Sequence, residues 1–383
     1  MSAPEPVLAA LRGRPSPVCA YVYDRQALRE RAAAVRAALP ANTILLYAVK
    51  ANGHPDVAGT LAQACDGLEV ASGGELELAV AAGARRIVFG GPAKTDAELA
   101  AALHAGAQIN IESGQELLRL DRLAAAAGIQ AQACVRVNRA TATVTGTHAM
   151  TGTPTPFGVD ESRLGQFFAL PREHVTILGF HLHAVSNNLD AAAHARFLTD
   201  CLTWSASAAA RHGITLRVVN AGGGLGVDYT TAGTTIDLTG FARGVRVPDG
   251  VTLIMEPGRV LAADAGWYAA EVLDLKHTHG TWFAVLRGGT HHFRLPAAWG
   301  YSHPFTVLER PVWPYPWDRP SVSGVPVDAV GELCTPRDVL ARAQPVERLR
   351  VGDVLVFART GAYGWDISHH DFLRHEPPEF LVL

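Results

Sequence analysis

Several polar residues in this 383-residue chain stand directly after short runs of apolar, β-branched residues. Lys50 follows such a run in YAVKAN, His183 lies in GFHLHAVS, and Glu256 lies in MEPGR. In NAGGGLG, the residues Gly222–Gly224 bare backbone N–H groups, which suit a phosphate group. The chain therefore offers an amine, an aromatic ring, a carboxylate and an anion cradle, each at the end of a strand-like segment.

These four kinds of group are the ones with which a protein holds pyridoxal phosphate. Partial burial at the end of an apolar strand would favour the neutral, nucleophilic form of the Lys50 amine. A carboxylate at Glu256 would keep the nitrogen of the pyridine ring protonated, and the His183 ring could lie flat on that ring. We therefore interpret the residues as a candidate site for this cofactor.

Each residue also has an ordinary structural interpretation when it is taken alone. Lys50 could be a solvated strand-end lysine, and His183 could be a hydrogen-bonded core residue. The three glycines could form a tight turn, and Glu256 could pair with Arg259. Cys334 could be an inert buried thiol.

Composition excludes several other classes of protein. The 48% hydrophobic and 18% charged content is typical of a globular protein, and 33 Lys+Arg against 36 Asp+Glu gives a formal charge of −3. There is no basic block for nucleic acid or a membrane surface. The 5 cysteines are odd in number and form no CxxC pair, so we expect neither disulfides nor a metal site. No signal peptide and no run of about 18 apolar residues are found, so we expect a cytoplasmic protein.

The elements that must position these residues follow an alternating pattern. Alanine-rich amphipathic segments separate eight β-type runs, a pattern typical of a parallel sheet with βα units. The predicted runs are Ile44–Val49, Leu68–Ala71, Arg86–Gly90, Gln108–Glu112, Ala133–Asn138, Ile177–His183, Leu216–Asn220 and Thr252–Glu256. Eight such strands close a (β/α)8 TIM barrel, in which chemistry is placed at the C-terminal strand ends. The fold class is therefore α/β.

A second, all-β domain is predicted after Gly266, where the helical period fades and strand-like runs dominate. The segment VCAYVY near the N-terminus could add a strand to it. We predict a barrel over residues 22–262 and a β domain formed by residues 1–21 and 263–383.

Seven segments resemble, in order, those of the fold-type III pyridoxal phosphate decarboxylases, which include the ornithine and diaminopimelate decarboxylases. They are YAVKAN, EVASGGELELA, HLHAVS, NAGGGLGVDY, EPGR, LCTPRD and GAYG. The resemblance implies a barrel followed by a C-terminal all-β domain, as in alanine racemase and ornithine decarboxylase. It also implies a homodimer with shared active sites and a decarboxylation that uses pyridoxal 5'-phosphate.

The same resemblance implies a role for each candidate catalytic residue. Lys50 would bind the cofactor covalently, His183 would stack on its ring, and Glu256 would pair with the pyridine nitrogen. The phosphate would be surrounded by Ser186, Gly223, Gly224, Gly258, Arg259 and Tyr363. Cys334, supplied by the other subunit, would return a proton to the substrate carbon. The acidic residue at 256 favours decarboxylation, because the related alanine racemases place an arginine there.

Other segments resemble the siderophore branch of this family, which acts on a citryl amide of 2,3-diaminopropionate. They include FGGPAKTDAEL, LRGGTHHFRLPAAWG, SHPF and GELCTPRDVLAR. Thr335 stands where the diamine enzymes have an acid that grips a distal ammonium. Guanidinium and imidazole groups suit carboxylates, and the expected substrate-binding residues are His291, His292, Arg294, Thr335 and Arg337.

We therefore predict decarboxylation of a citryl-diamino acid, a small and carboxylate-rich amino acid substrate, during siderophore biosynthesis. One alternative is decarboxylation of a free amino acid such as diaminopimelate or an ornithine-like compound. A second alternative is a non-catalytic, regulatory homologue that binds pyridoxal phosphate.

Overall fold

A computed structural model describes residues 3–141, 144, 146, 148–231 and 236–383. The α-helices in these residues are α1 Glu5–Arg12, α2 Arg25–Ala38, α3 Pro55–Ala64, α4 Gly73–Ala81, α5 Asp96–His104, α6 Gly114–Ala127, α7 Leu164–Phe168, α8 Ala191–His212, α9 Arg259–Ala262 and α10 Leu295–Trp299. The strands are β1 Cys19–Tyr23, β2 Thr43–Ala48, β3 Gly67–Val70, β4 Ile87–Phe89, β5 Gln108–Ile111, β6 Ala131–Asn138, β7 His148–Ala149, β8 Val159–Asp160, β9 Val175–His181, β10 Val185–Ser186, β11 Val218–Asn220, β12 Thr252–Met255, β13 Gly266–Thr278, β14 Thr281–Leu286, β15 Phe305–Leu308, β16 Ser321–Val330, β17 Val339–Arg350, β18 Val354–Ala358 and β19 Glu379–Val382.

The chain divides into two compact units. The first, here the barrel unit, contains Arg29–Val227 and Thr235–Leu261. The second, here the β unit, contains Met1–Leu28, Asp228–Thr234 and Ala262–Leu383. The domain bounds expected from the sequence, 22–262 for the barrel and 1–21 with 263–383 for the β domain, stay a prediction.

The barrel unit is a closed parallel barrel of eight strands. They pair in the order β2, β3, β4, β5, β6, β9, β11 and β12, and β12 returns to β2. Every one of the eight runs predicted from the sequence is a strand of this barrel, so the (β/α)8 prediction is confirmed. The strands are apolar because both faces are covered. Leu46, Val88 and Ile254 lie in one core cluster, and each is fully buried.

Short turns at the carboxyl ends of the strands are fixed by helix caps. Ser72, Thr95 and Ser113 each accept a hydrogen bond from the backbone N–H three residues on, and so begin α4, α5 and α6. Each cap follows a barrel strand within a few residues. Side chains at the strand ends are therefore carried on short, well-defined segments.

The β unit contains a mixed sheet in the order β15, β18, β13, β14, β16, β17. The N-terminal strand β1 joins this sheet, because it pairs antiparallel with β13 and parallel with β19. Its apolar face packs on Trp267, Ala269 and Val356 in one buried cluster. Among the described residues, no helix combines the length and apolar character needed to cross a membrane.

Candidate active site

Lys50 lies in a short 3-10 turn, Val49–Ala51, directly after β2. Its Nζ donates a hydrogen bond to Glu69 Oε2 at 2.7 Å, and Glu69 is a buried residue of β3. The Lys50 side chain is 47% exposed, so about half of it is withdrawn from solvent in the protein alone. A buried carboxylate orients the amine. Glu69 was missed from the sequence, although an acid inside the apolar run LEV is a usable signal.

Glu256 follows β12 and is buried. Asn220 Nδ2 donates to Glu256 Oε1 at 2.5 Å, and His181 Nε2 lies 3.5 Å from Oε2. Burial, and then the charge of Glu69, raise the pKa of Glu256 to about 8. His181 does not offset this acid with a positive charge, because burial and the neighbouring Arg136 hold the pKa of His181 well below its usual value. The acid therefore lies in a site that favours a cationic partner.

His183 lies two residues beyond β9. Its Nδ1 accepts a hydrogen bond from the backbone N–H of Gly223 at 3.2 Å. Burial, Arg136 and Lys50 hold the pKa of His183 well below its usual value. The ring is therefore neutral, which suits stacking against a flat cofactor ring.

The glycine turn after β11 is closely packed against these segments. Gly222 has a φ of +67°, and a Cβ there would lie 2.5 Å from His183 Nδ1. A Cβ at Gly223 would lie 2.6 Å from the backbone oxygen of Glu256. At Gly224, whose φ is +103°, a Cβ would lie 2.8 Å from the backbone oxygen of Val185. Residues larger than glycine are therefore excluded at these three positions.

The remaining barrel residues of the candidate site lie on adjoining segments. Ser186 is in β10, and Gly258 and the buried Arg259 stand at the start of α9. A Cβ at Gly258 would lie 2.7 Å from Ala51 Cβ, so the segment after β12 borders the Lys50 turn. The structure thus brings together the segments after β2, β9, β11 and β12 at the carboxyl end of the barrel.

A buried charged network, missed from the sequence, lies beside this group. Arg136 Nη1 donates to Glu112 Oε1 at 2.8 Å, and Lys94 Nζ lies 2.7 Å from Glu116 Oε1. Arg136 interrupts the apolar strand β6, and a charged residue within such a strand could have indicated this network from the sequence. Its positive charge contributes to keeping both nearby histidines neutral.

The other predicted residues lie in the β unit. A cavity of about 740 Å³ there is lined by Arg294, Thr335 and Arg337, which are three of the five predicted substrate-binding residues. Thr290 also lines it, and its backbone N–H donates to the buried carboxylate of Asp338 at 2.6 Å. The same carboxylate accepts from the N–H of Leu333 at 2.9 Å, so it ties the two lining loops together.

The other two predicted substrate-binding residues, His291 and His292, are buried and do not line this cavity. Burial, followed by His291 and Arg287, lowers the pKa of His292 to about 3. His292 is therefore neutral and carries no positive charge with which to pair a carboxylate. His291 Nε2 instead lies 3.6 Å from Glu332 Oε1.

Cys334 is exposed, so its alternative interpretation as a buried inert thiol is wrong. It lies in a turn in which the Thr335 N–H donates to the Leu333 carbonyl at 2.9 Å. Tyr363 is half-buried in the β unit, with its ring 6.5 Å from the ring of Trp299. The described residues contain no group of three or more His, Cys, Asp or Glu side chains that could hold a metal ion.

A closed parallel barrel that ends in an amine, a neutral imidazole, a glycine turn and a buried acid defines the class of pyridoxal phosphate barrel enzymes. Residues 25–263 match the family described as "Pyridoxal-dependent decarboxylase, pyridoxal binding domain". The chain belongs to this family and is a pyridoxal-phosphate-dependent decarboxylase.

Known relatives agree over nearly the whole chain. It is 39% identical over 391 aligned residues to the 2-[(L-alanin-3-ylcarbamoyl)methyl]-2-hydroxybutanedioate decarboxylase of Staphylococcus aureus, covering 99% of this chain and 97% of the relative. It is 30% identical to the diaminopimelate decarboxylase of Aquifex aeolicus, covering 94% and 86%. The crystal structure of Helicobacter pylori diaminopimelate decarboxylase complexed with L-lysine superposes with a TM-score of 0.85 at 26% identity, covering 98% and 93%.

The residues present fit pyridoxal phosphate. The ring nitrogen of the cofactor is a base that becomes cationic when it is protonated, and a cation there would stabilise the charged form of Glu256, a buried acid whose pKa is raised by burial and by the charge of Glu69. At each position of the turn Gly222–Gly224 a Cβ would meet a neighbouring segment, so backbone alone borders this part of the barrel end, which suits a phosphate group.

The raised pKa of Glu256 predicts a pH-dependent stability of the cofactor-free protein. The folded state keeps a proton on Glu256 that the unfolded chain releases. The contribution of this proton to the free energy of unfolding is fully present below pH 4.5 and is lost as the pH rises toward about 8. His181 and His183, whose pKa values are lowered, act in the opposite direction: below the usual histidine pKa, their contribution to the free energy of unfolding rises with pH. Comparison with Glu256→Gln isolates the acid. In urea unfolding, the wild type should lose on the order of 1–3 kcal/mol relative to the variant between about pH 6 and pH 8. Equal slopes would contradict the buried, proton-holding acid.

Proposed function

We propose that this enzyme removes the α-carboxylate of a citryl amide of 2,3-diaminopropionate during siderophore assembly. The observation that carries the proposal is the cavity of the β unit. Arg294 and Arg337 line it, and none of its described lining residues is acidic. Neither arginine has a carboxylate partner among the residues that the structure describes. The cavity thus suits an anionic arm rather than a distal ammonium.

The relative from Staphylococcus aureus supports the same substrate. The name of that relative denotes citrate joined through an amide to the β-amino group of 2,3-diaminopropionate. That compound keeps a free α-amino group and an α-carboxylate at one end and two carboxylates at the other. The diaminopimelate decarboxylases, at about 30% identity, are the basis for the alternative substrate. Thr335 argues against that alternative because it supplies no negative charge.

The reacting end of the substrate lies, in this proposal, at the carboxyl end of the barrel. Bound pyridoxal phosphate supplies a sink for the electron pair left at Cα when CO₂ departs. Lys50 holds the cofactor covalently and is oriented by Glu69, 2.7 Å from its Nζ. Glu256 holds the proton on the pyridine nitrogen, and Asn220 fixes the carboxylate from 2.5 Å. His183 would stack on the cofactor ring, for which its neutral imidazole is suited.

The phosphate would be surrounded, in this proposal, by Gly223, Gly224 and Gly258, with Ser186 and Arg259 beside them. Support comes from the glycine packing and from the placement of all five residues on segments that adjoin at the barrel end. Family resemblance adds Tyr363, which stays a prediction.

Cys334 is proposed as the acid that returns a proton to Cα. Its exposure supports this, because a thiol that acts on a partner's substrate must lie at the surface of its own subunit. The proposal includes a homodimer in which each site receives Cys334 of the partner subunit. A cytoplasmic location is also proposed, since five free thiols suit a reducing compartment.

The substrate proposal is tested by comparing CO₂ release from the citryl amide, meso-diaminopimelate and ornithine. We expect kcat/KM for the citryl amide to be higher by about 100-fold or more, because its arm brings two carboxylates to the arginines, whereas diaminopimelate brings one carboxylate with an ammonium and ornithine an ammonium alone. Thr335→Glu should lower that value by repelling the arm, while the matched Thr335→Gln should change it little. A preference of the wild type for diaminopimelate would refute the proposed substrate.

A further inference from the structure

The strand β17 is irregular where it passes the cavity of the β unit. Val327 of β16 lies opposite Gln344, and Ala329 lies opposite Ala341. Asp328 therefore opposes two residues, Arg342 and Ala343, which is the arrangement of a β-bulge. Ala343 has a φ of +48°, a left-handed conformation that residues with a Cβ rarely adopt.

Two side chains hold the bulge in place. The carboxylate of Asp328 is largely buried, and its Oδ1 accepts the Ala343 N–H at 2.7 Å. Ser302 Oγ accepts the Arg342 N–H at 2.8 Å and donates to the Arg342 carbonyl at 3.3 Å. A strained backbone that is fixed by this many hydrogen bonds points to a local purpose.

The residues of β17 that lead into the bulge, Val339–Arg342, line the cavity. Leu340 and Ala341 among them are fully buried, whereas Arg342, at the bulge itself, is exposed. The Arg342 side chain is 64% exposed, and its Nη1 lies 3.5 Å from Asp328 Oδ2. That contact directs the guanidinium without burying it. Arg342 thus joins Arg294 and Arg337 as the third guanidinium on the lining.

We propose that Arg342 is a specificity-determining residue, turned into the cavity by the β17 bulge to bind a carboxylate of a polycarboxylate arm. This inference rests on the proposed function. The citryl arm carries two carboxylates and a hydroxyl group, and the guanidinium of each arginine offers paired N–H donors that match a carboxylate. Arg342 contributes affinity for the arm and takes no part in the bond that breaks.

The test compares the holoenzyme with its Arg342→Gln variant on two substrates. One is the citryl amide, and the other is Nβ-acetyl-2,3-diaminopropionate, which has the same reacting end and amide but no carboxylate arm. We expect KM for the citryl amide to rise by about 10-fold to 100-fold, the loss of one charge-assisted hydrogen-bond pair. The kcat, and both constants for the acetyl compound, should stay within about 2-fold, because the reacting end is untouched.

Arg348→Gln is the matched control. Arg348 lies on the same strand and is exposed, but it pairs with Glu309 at 2.6 Å and does not line the cavity. Arg342→Lys should restore part of the affinity, because lysine keeps the positive charge but lacks the paired N–H donors of the guanidinium. Asp328→Ala should raise KM for the citryl amide as Arg342→Gln does, because it releases the bulge.

The outcomes separate the inference from the proposed function. Failure of the wild type to decarboxylate the citryl amide would overturn both. If the wild type turns it over and Arg342→Gln leaves KM unchanged, only the inference falls. An equal rise in KM for both substrates would also overturn it, since that would indicate a general structural defect. Circular dichroism of Arg342→Gln should match the wild type, because the side chain is largely exposed.

Discussion

Lys50→Ala protein is expected to release CO₂ at least about 1000-fold more slowly than the wild type and to lack its visible absorbance. The amine is the covalent tether of the cofactor in the proposed mechanism, and alanine offers neither a nucleophile nor a partner for Glu69. Glu69, a buried acid 2.7 Å from Lys50 Nζ, would then be left without that cation. Weakened cofactor retention should accompany the loss of rate, and both are measured on the same preparation.

The composition of the chain makes this test unusually selective. Only three lysines are present, Lys50, Lys94 and Lys276. Lys94 is buried against Glu116, whereas Lys276 is exposed on β13. Borohydride reduction followed by peptide mass spectrometry should therefore place the cofactor on Lys50. Lys276→Ala is the control and should keep full activity. Unchanged colour and rate in Lys50→Ala would overturn the assignment of the tether.

The Lys50→Ala variant also tests the proposed dimer. Cys334→Ala should also be slow, because the proposed proton donor is lost. If each site uses Lys50 of one subunit and Cys334 of the partner subunit, mixed dimers contain one intact site. Equal mixing of the two inactive proteins should then restore about a quarter of the wild-type activity. No recovery after demonstrated subunit exchange would exclude a shared site.

Glu256→Gln is expected to lower kcat by about 100-fold to 1000-fold while the protein still binds pyridoxal phosphate. Glutamine keeps an oxygen that can accept the Asn220 hydrogen bond, now 2.5 Å long. It cannot balance a positive charge on the ring nitrogen, so the proton there is lost. Because the change acts on the transition state for CO₂ loss, KM should move much less than kcat.

A matched control for this change is Glu271→Gln in the β unit. Glu271 is also a buried carboxylate, and it accepts the backbone N–H of Val18 at 2.8 Å. Its replacement should lower stability without lowering the kcat of the folded enzyme. A similar kcat loss in both variants would show that removing any buried carboxylate is enough, and would argue against a specific role for Glu256.

The barrel was predictable because its strands are covered on both faces and so leave eight apolar runs in the sequence. The ends of α6, Gly114–Ala127, also have signals in the sequence, since Ser113 caps one end and Gly128 closes the other in the left-handed conformation. Lys50 and Glu256 were predictable for a related reason. A polar residue that ends a buried parallel strand reaches the one open end of the barrel.

The partners of these residues were not predictable. Glu69 meets Lys50, and Asn220 meets Glu256, only because strands separated along the chain become neighbours around the closed barrel. The half-exposed state of Lys50 is likewise a property of the assembled strand ends. His292 was expected to meet substrate, yet the fold turns its ring into the interior of the β unit. Sequence spacing carries no information about which way such a side chain turns.

Pairing of β1 with β13 and β19 has a consequence for biosynthesis. A ribosome makes β1 first, β13 much later and β19, Glu379–Val382, near the end. During translation the nascent Cys19–Tyr23 segment therefore waits, apolar and unpaired, while the strands of the barrel emerge. An apolar segment whose backbone groups stay unpaired for that long can associate with other chains. Chaperone capture of this N-terminal segment would protect the polypeptide until its last neighbour is synthesised.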